Sequence, residues 1–267
     1  MYVLMYRVAG YRKEVVFQNL RNSFPEKSEK EIEQIARRFY SHLCDLFLET
    51  FKTLTISRNS MLGHCSMTPR ALKLMNDFAA RNKNIVLVMG HFGNWEWGGN
   101  TFSILCKQQL YVIYHPLRNQ YFNGLISGMR MRFGSKLIAM KETFRVMAAQ
   151  RKELNATAFI ADQSPPPETA YWTTFLNQDT PVFWGTEKVS KKLDYPVVYI
   201  NLIKKQRGIY ELDAELLVPE PKTTGEGEIL ELFTRRLEKD IQAHPDIWLW
   251  SHRRWKHKRP LSATSLP

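Results

Sequence analysis

The chain reads as an α/β protein: a mixed, mostly parallel sheet flanked by helices, with a helical N-terminal segment. Three observations predict this. From residue 85 onward, short apolar runs alternate with amphipathic stretches of roughly 10–15 residues, the pattern of βαβ units. The run Ile85-Val-Leu-Val-Met89 is apolar without interruption, as a strand buried on both faces requires. Ahead of the alternation, residues 28–54 carry Ile32, Ile35, Phe39, Leu43, Phe47 and Phe51 at helical spacing, behind a Ser28/Glu31 capping box.

In chain order, a first helix spans about 12–23 and ends before Pro25, and a second covers 28–54. Strands are expected at 85–89, 110–114, 136–139, 157–161, 197–203 and 209–218. Helices are expected at 95–106, 119–132, 142–152, 185–193 and 225–243. The last two strands flank Lys204–Gly208 and form an edge hairpin. Gln163–Asp179 holds three consecutive prolines, Pro165–Pro167, and no periodicity, so it is expected to be a long functional loop. One domain, 1–267, accounts for the whole: residues 1–54 form the helical segment and 55–267 the α/β core.

Hydrophobic content of 44% and aromatic content of 12% suit a packed globule. No stretch approaches the ~20 apolar residues that cross a bilayer. The opening Met1–Arg12 is apolar and aromatic but broken by Arg7, and has no signal-peptide cleavage pattern; an interfacial or truncated anchor is one reading of it. Cys44, Cys65 and Cys106 show no C-x-x-C pairing, which points to a reduced compartment and no zinc site. No pair of histidines has metal-site spacing, and no G-x-S-x-G elbow is present. A net charge of +12 calls for an acidic partner: nucleic acid, an anionic membrane, a phosphorylated substrate or an acidic protein.

The most informative segment follows the first core strand: Gly90-His-Phe-Gly-Asn-Trp-Glu96, an H-x-x-x-x-E pattern at a strand-to-helix turn. Residues five apart in a regular helix point about 140° from each other. His91 and Glu96 therefore meet only if His91 lies in the turn and Glu96 in the first helical turn, with Gly90 and Gly93 giving the backbone freedom. Glu96 would then accept from His91 Nδ1–H and leave Nε2 as a base. Spacing alone leaves two readings, a catalytic pair or a histidine that caps a helix.

The surrounding words are more specific. His91-Phe-Gly-Asn-Trp-Glu96 resembles the active-site block of the bacterial lipid A late acyltransferases (lauroyl/myristoyl acyltransferases), within the wider group of H-x-x-x-x-D/E glycerolipid acyltransferases. Tyr11-Arg12, Asn19-Leu20 and Phe24-Pro-Glu26 resemble the family's opening blocks, and Pro116-Leu-Arg-Asn119 the block after its second strand. Asp162-Gln163 matches its "DQ" pair, and Trp248-Leu-Trp-Ser-His-Arg-Arg254 its C-terminal signature. The resemblance covers about residues 10–260. Members usually carry a membrane-spanning helix ahead of the "YR" block. Only about ten residues precede it here, so the anchor is absent, trimmed or reduced to an interfacial stub.

The resemblance implies an O-acyltransferase without cofactor or metal. It would move a fatty acyl chain from an acyl carrier protein thioester to a hydroxyl of a lipid A precursor, a phosphorylated glycolipid, with His91 and Glu96 catalytic. It implies substrate contacts by Asn94, Arg118, Asn119, Asp162, Gln163 and one of Arg130 and Arg132, which near a helix end cannot both face one site. The cations Arg118, Arg130, Arg132, Lys136, Lys141 and Arg145, against one acid, Glu142, suit phosphate. Asp162, at a strand end, is expected to order arginines or to cap the proline loop. An oxyanion would be met by backbone N–H groups near Gly93 and Asn94. The C-terminal Ser251–Arg259 carries five positive charges and no acid; with Trp248, Trp250 and Trp255 it reads as a belt on an anionic membrane surface, unless Trp248 and Trp250 fill the core. Basic plus aromatic composition also suits nucleic acid, but no such motif is present. The implied location is the cytoplasmic face of the inner membrane, peripheral or N-terminally anchored. Other readings are an acyltransferase for a different lipid, an acyl thioesterase using water, and a catalytically idle membrane-binding module.

Overall fold

The computed structural model describes residues 1–260; residues 261–267, the end of the expected domain, lie outside the described residues. The N-terminal segment opens with one π-helical stretch, Val3–Val8, whose Tyr6 packs on Tyr40. Helix α1 (Lys13–Ser23) and the long α2 (Glu29–Lys52) follow. The Ser28/Glu31 capping box starts α2 as expected: Ser28 N–H donates to Glu31 at 2.8 Å and Glu31 N–H donates to Ser28 Oγ at 3.4 Å.

Three elements then precede the expected alternation: α3 (Arg58–His64), β1 (Cys65–Met67) and α4 (Pro69–Ala80). The Thr68 hydroxyl caps α4 and Pro69 occupies its first turn. The alternation proper runs β2 (Ile85–Met89), α5 (Trp95–Leu105), β3 (Gln109–Tyr114), α6 (Gln120–Met131), β4 (Lys136–Ala139), α7 (Thr143–Ala149) and β5 (Asn155–Ile160). After a loop come β6 (Tyr171–Phe175), β7 (Gln178–Val182), α8 (Gly185–Leu193), β8 (Val197–Gln206), β9 (Ile209–Val218) and α9 (Glu228–Ala243).

The main sheet has seven strands in the order β1-β9-β8-β2-β5-β3-β4. Strands β8, β2, β5, β3 and β4 run parallel, while β9 runs against β8 and takes β1 with it. All five β2 residues are buried, since helices cover both faces. One core lies between the sheet and α1, α2 and α9, the other between the sheet and α3–α5.

Half of the expected proline loop is structured. β6 and β7 form a two-stranded antiparallel hairpin. Its turn residues Leu176 and Asn177 both have positive φ, 48° and 62°, the geometry that matches strand twist in a two-residue hairpin. Leu176 is an uncommon residue for that turn, so no glycine signal marked it.

Candidate functional site

The site forms where two neighbouring parallel strands end. β2 and β5 pair in register, Met89 opposite Ile160, and Ala161 N–H donates to the Met89 carbonyl at 3.0 Å. His91 and Asp162 each stand two residues further on. The imidazole Nδ1 lies 2.6 Å from Asp162 Oδ1, and His91 N–H donates to Asp162 Oδ2 at 2.8 Å. The Trp248 indole N–H donates to the same Oδ2 at 2.8 Å. Burial alone would raise the Asp162 pKa, but the His91 charge and these three donors outweigh it and hold the carboxyl down at about 2. The carboxylate is therefore ionised across the working pH range. It stands against Nδ1, and the other ring nitrogen, Nε2, faces the Gln163 amide at 3.3 Å.

Glu96 is not the carboxylate that holds His91. It accepts from Arg130, with Nε 2.9 Å from Oε2 and Nη2 2.6 Å from Oε1, a fork between α5 and α6. The reason is angular. Trp95, the first residue of α5, lays its ring edge-on against the imidazole, centroids 4.9 Å apart. Glu96 follows about 100° further round the helix. Desolvation opposes the Arg130 charge, and Glu96 more than restores it, so the Arg130 pKa is raised.

The remaining expected site residues separate into two groups. Gln163 and Arg130 join His91 in lining a cavity of about 630 Å³, walled by apolar side chains that include Val112, Ile126, Phe144, Phe159 and Ile160. Arg130, Val112 and Ile160 also line a narrow apolar cavity of about 40 Å³ that Glu96 borders, so Arg130 borders both cavities. Asn94 and Asn119 do other work: each side chain accepts a backbone N–H as the N-cap of α5 and α6, and Asn94 is fully buried against Glu49. Arg132 turns away and donates to the carbonyls of Leu54 and Ile56. Arg118 is exposed beside the cavity wall residue Leu117. Gly93 N–H donates to the Ile247 carbonyl at 3.0 Å, which removes it as an oxyanion donor. Gly93 has φ +62°, and a Cβ there would stand 2.2 Å from the Leu202 carbonyl oxygen, so the turn admits only glycine.

Much of the C-terminal signature lies inside the molecule, although Arg253 is exposed. Trp248 is 2% exposed, Trp250 0% and Arg254 2%. Phe92 and Trp248 form an antiparallel bridge, and Leu249 N–H donates to the His91 carbonyl at 3.1 Å. Asp162 orders none of the arginines of residues 118–145. It shares a small void with Arg254, whose burial lowers its pKa to about 10 against support from the Asp162 charge. Arg254 in turn donates to the Pro181 carbonyl at 2.7 Å, tying down the hairpin. The opening blocks buttress the same segment: Asn19 donates to the Trp250 and His252 carbonyls, and Arg12 to that of Ser251. Trp248 and Trp250 thus take the core alternative that the sequence left open, while Arg254, read only as a surface cation, is a buried residue of the site. Their signal was the hydrophobic neighbourhood of two closely spaced tryptophans.

No described helix is long and apolar enough to cross a membrane, and no metal-binding cluster occurs among the described residues. A family model described as "Bacterial lipid A biosynthesis acyltransferase" matches residues 3–257. Among curated proteins, the chain is 23% identical over 258 residues to the lipid A biosynthesis palmitoleoyltransferase of Escherichia coli (strain K12), covering 96% of this chain and 82% of that one. A lipid A biosynthesis acyltransferase of Shigella flexneri matches to the same extent, 23% over 258 residues.

Proposed function

The chain belongs to the bacterial lipid A biosynthesis acyltransferase family and is an acyltransferase; on that premise we propose that it moves a fatty acyl group from an acyl carrier protein thioester to a hydroxyl of a lipid A precursor. The observation that carries the mechanism is the 2.6 Å contact between His91 Nδ1 and the buried Asp162 carboxylate, with His91 lining the larger cavity. His91 Nε2 takes the proton of the acceptor hydroxyl as its oxygen attacks the thioester carbonyl. Asp162 holds the ring and stabilises the imidazolium. Collapse of the tetrahedral species expels the thiolate, which receives that proton from His91. No acyl-enzyme is required.

Glu96 and Arg130 take a different part from the one expected of Glu96. Held as a fork, Arg130 presents a fixed cation to both cavities, where it can meet a phosphate or the developing oxyanion. The apolar walls of the larger cavity suit an acyl chain. The acidic acyl carrier protein and an anionic inner-membrane face suit a chain of net charge +12.

The test is His91→Ala with acyl carrier protein thioester and lipid A precursor, followed by mass spectrometry of the lipid. Loss of the general base should lower transfer by about 10²–10⁴. Undiminished transfer would sink the mechanism. Equal thioester consumption with and without the lipid would replace it with a thioesterase.

A further inference from the structure

The large cavity opens through a rim that interleaves exposed apolar and basic side chains. Three short elements form it: the start of α6, the start of α7 and the outer face of α8. Five large apolar side chains stand out into solvent there: Leu117, Tyr121, Phe122, Met140 and Phe144. Tyr121 is 93% exposed, so it covers nothing in this chain. Leu117, Met140 and Phe144 line the cavity itself, which places the apolar group at its mouth.

Cations interleave with these residues. Arg118, Lys141, Arg145, Lys188 and Lys192 are all exposed, Lys141 and Lys188 line the cavity, and the Lys192 ammonium sits 4.6 Å above the Phe144 ring. Glu142 offsets one of them, Arg145, and Glu187 is buried against Lys191, so neither acid pairs with Arg118, Lys141, Lys188 or Lys192.

We propose that this rim, Leu117–Phe122 with Met140–Arg145 and Lys188–Lys192, is the face that seats the protein on an anionic lipid bilayer. It rests on the acyltransferase reading only for the use made of it: a lipid acceptor could then reach His91 from the bilayer without crossing water. An acidic protein would engage the same cations, and the vesicle experiment separates it from a bilayer. Rings and aliphatic side chains projecting between cations fit a bilayer, where the apolar groups enter below the headgroups and the charges stay at the phosphates. The surface expected of the C-terminal tryptophans is thereby placed elsewhere, since Trp248 and Trp250 are buried and Trp255 is partly so.

Sedimentation with extruded vesicles of phosphatidylglycerol and phosphatidylcholine, or of phosphatidylcholine alone, tests it. The wild type should bind the anionic vesicles and release in high salt. Tyr121→Ser with Phe122→Ser should weaken binding about tenfold or more. Lys188→Ala and Lys192→Ala should each cost about fivefold. His91→Ala should bind as wild type, which separates failure of the rim from failure of the chemistry. Phe47→Ser with Leu48→Ser, on an exposed apolar face of α2, should leave binding unchanged. If the α2 pair abolishes binding while the Tyr121/Phe122 pair does not, the rim is not the membrane face. If the Tyr121/Phe122 protein keeps vesicle affinity but loses acyl carrier protein, the rim docks a protein and the proposal falls. Should that double variant melt early, Lys192→Glu alone gives the same reading.

Discussion

Asp162 and Glu96 are two carboxylates near one histidine, and they differ in what surrounds them. Asp162 stands at a strand end, is 4% exposed, and accepts from two groups of His91 and from Trp248. Glu96 sits in the first turn of a helix and accepts only the fork of Arg130 among the described side chains. The residue five positions away fails to reach the imidazole. The one 71 positions away is fixed on it by strand register. Adjacent parallel strands set two residues side by side with little freedom, whereas a helix sends successive side chains about 100° apart. Each carboxylate also has its own support: the C-terminal segment behind Asp162, and α2 through Glu49 and Asn94 behind the start of α5.

Breaking the two sides separately should give unequal results. Asp162→Asn should cost about 10²–10⁴ in kcat, because the wrong tautomer would then be favoured, and combining it with His91→Ala should add little. A double variant much worse than either single one would show that Asp162 acts apart from His91. Glu96→Gln should cost less, roughly tenfold to a hundredfold, and Arg130→Ala in the Glu96→Gln background should add little, since the two act as one fork. If Glu96→Gln matches Asp162→Asn and shifts the pH profile in the same way, Glu96 also serves the base.

Trp248→Phe removes one N–H from Asp162 and, because phenyl is smaller than indole, leaves a small cavity at a buried position. A hydrogen bond to a charged group contributes about 1.5–3 kcal/mol, so kcat should fall by roughly tenfold to a hundredfold with the fold intact by circular dichroism. An unchanged pH profile with normal kcat would reduce Trp248 to packing.

The smallest effect concerns acid stability, and it samples both sides. His42 on α2 and His252 beside the C-terminal signature are held neutral: burial, aided by nearby cations, lowers their pKa to about 3 and about 4 from 6.5. A base whose folded pKa lies below its unfolded value takes up protons preferentially in the unfolded chain. Stability is therefore full above pH 6.5 and declines as the pH falls from there toward those lower values. His252→Gln should flatten the fall in Tm between about pH 6.5 and 4, by a few degrees. A slope equal to wild type would show that His252 is protonated in the folded state.

Much of this was legible along the chain. The run Ile85–Met89 and Gly90 marked the strand end that carries His91, and α2 began at its capping box. Arg130, Gln163 and Asp162 were named as site residues and do lie around one cavity or its histidine. Short-range periodicity carries such information because burial and capping act within a few residues. The partner of His91 was not legible, because which strand lies beside β2 is a property of the sheet. Nor was the hairpin turn at Leu176-Asn177, whose backbone is imposed by packing against residue type.

By itself the sequence determined the α/β alternation, the histidine at the end of its first core strand and the ordered blocks that mark the family. The tertiary structure alone decided that Asp162 holds His91, that Glu96 holds Arg130, and that Trp248 and Arg254 face inward. Periodicity along a chain records which residues must be buried, while charge pairing depends on which elements come to lie side by side.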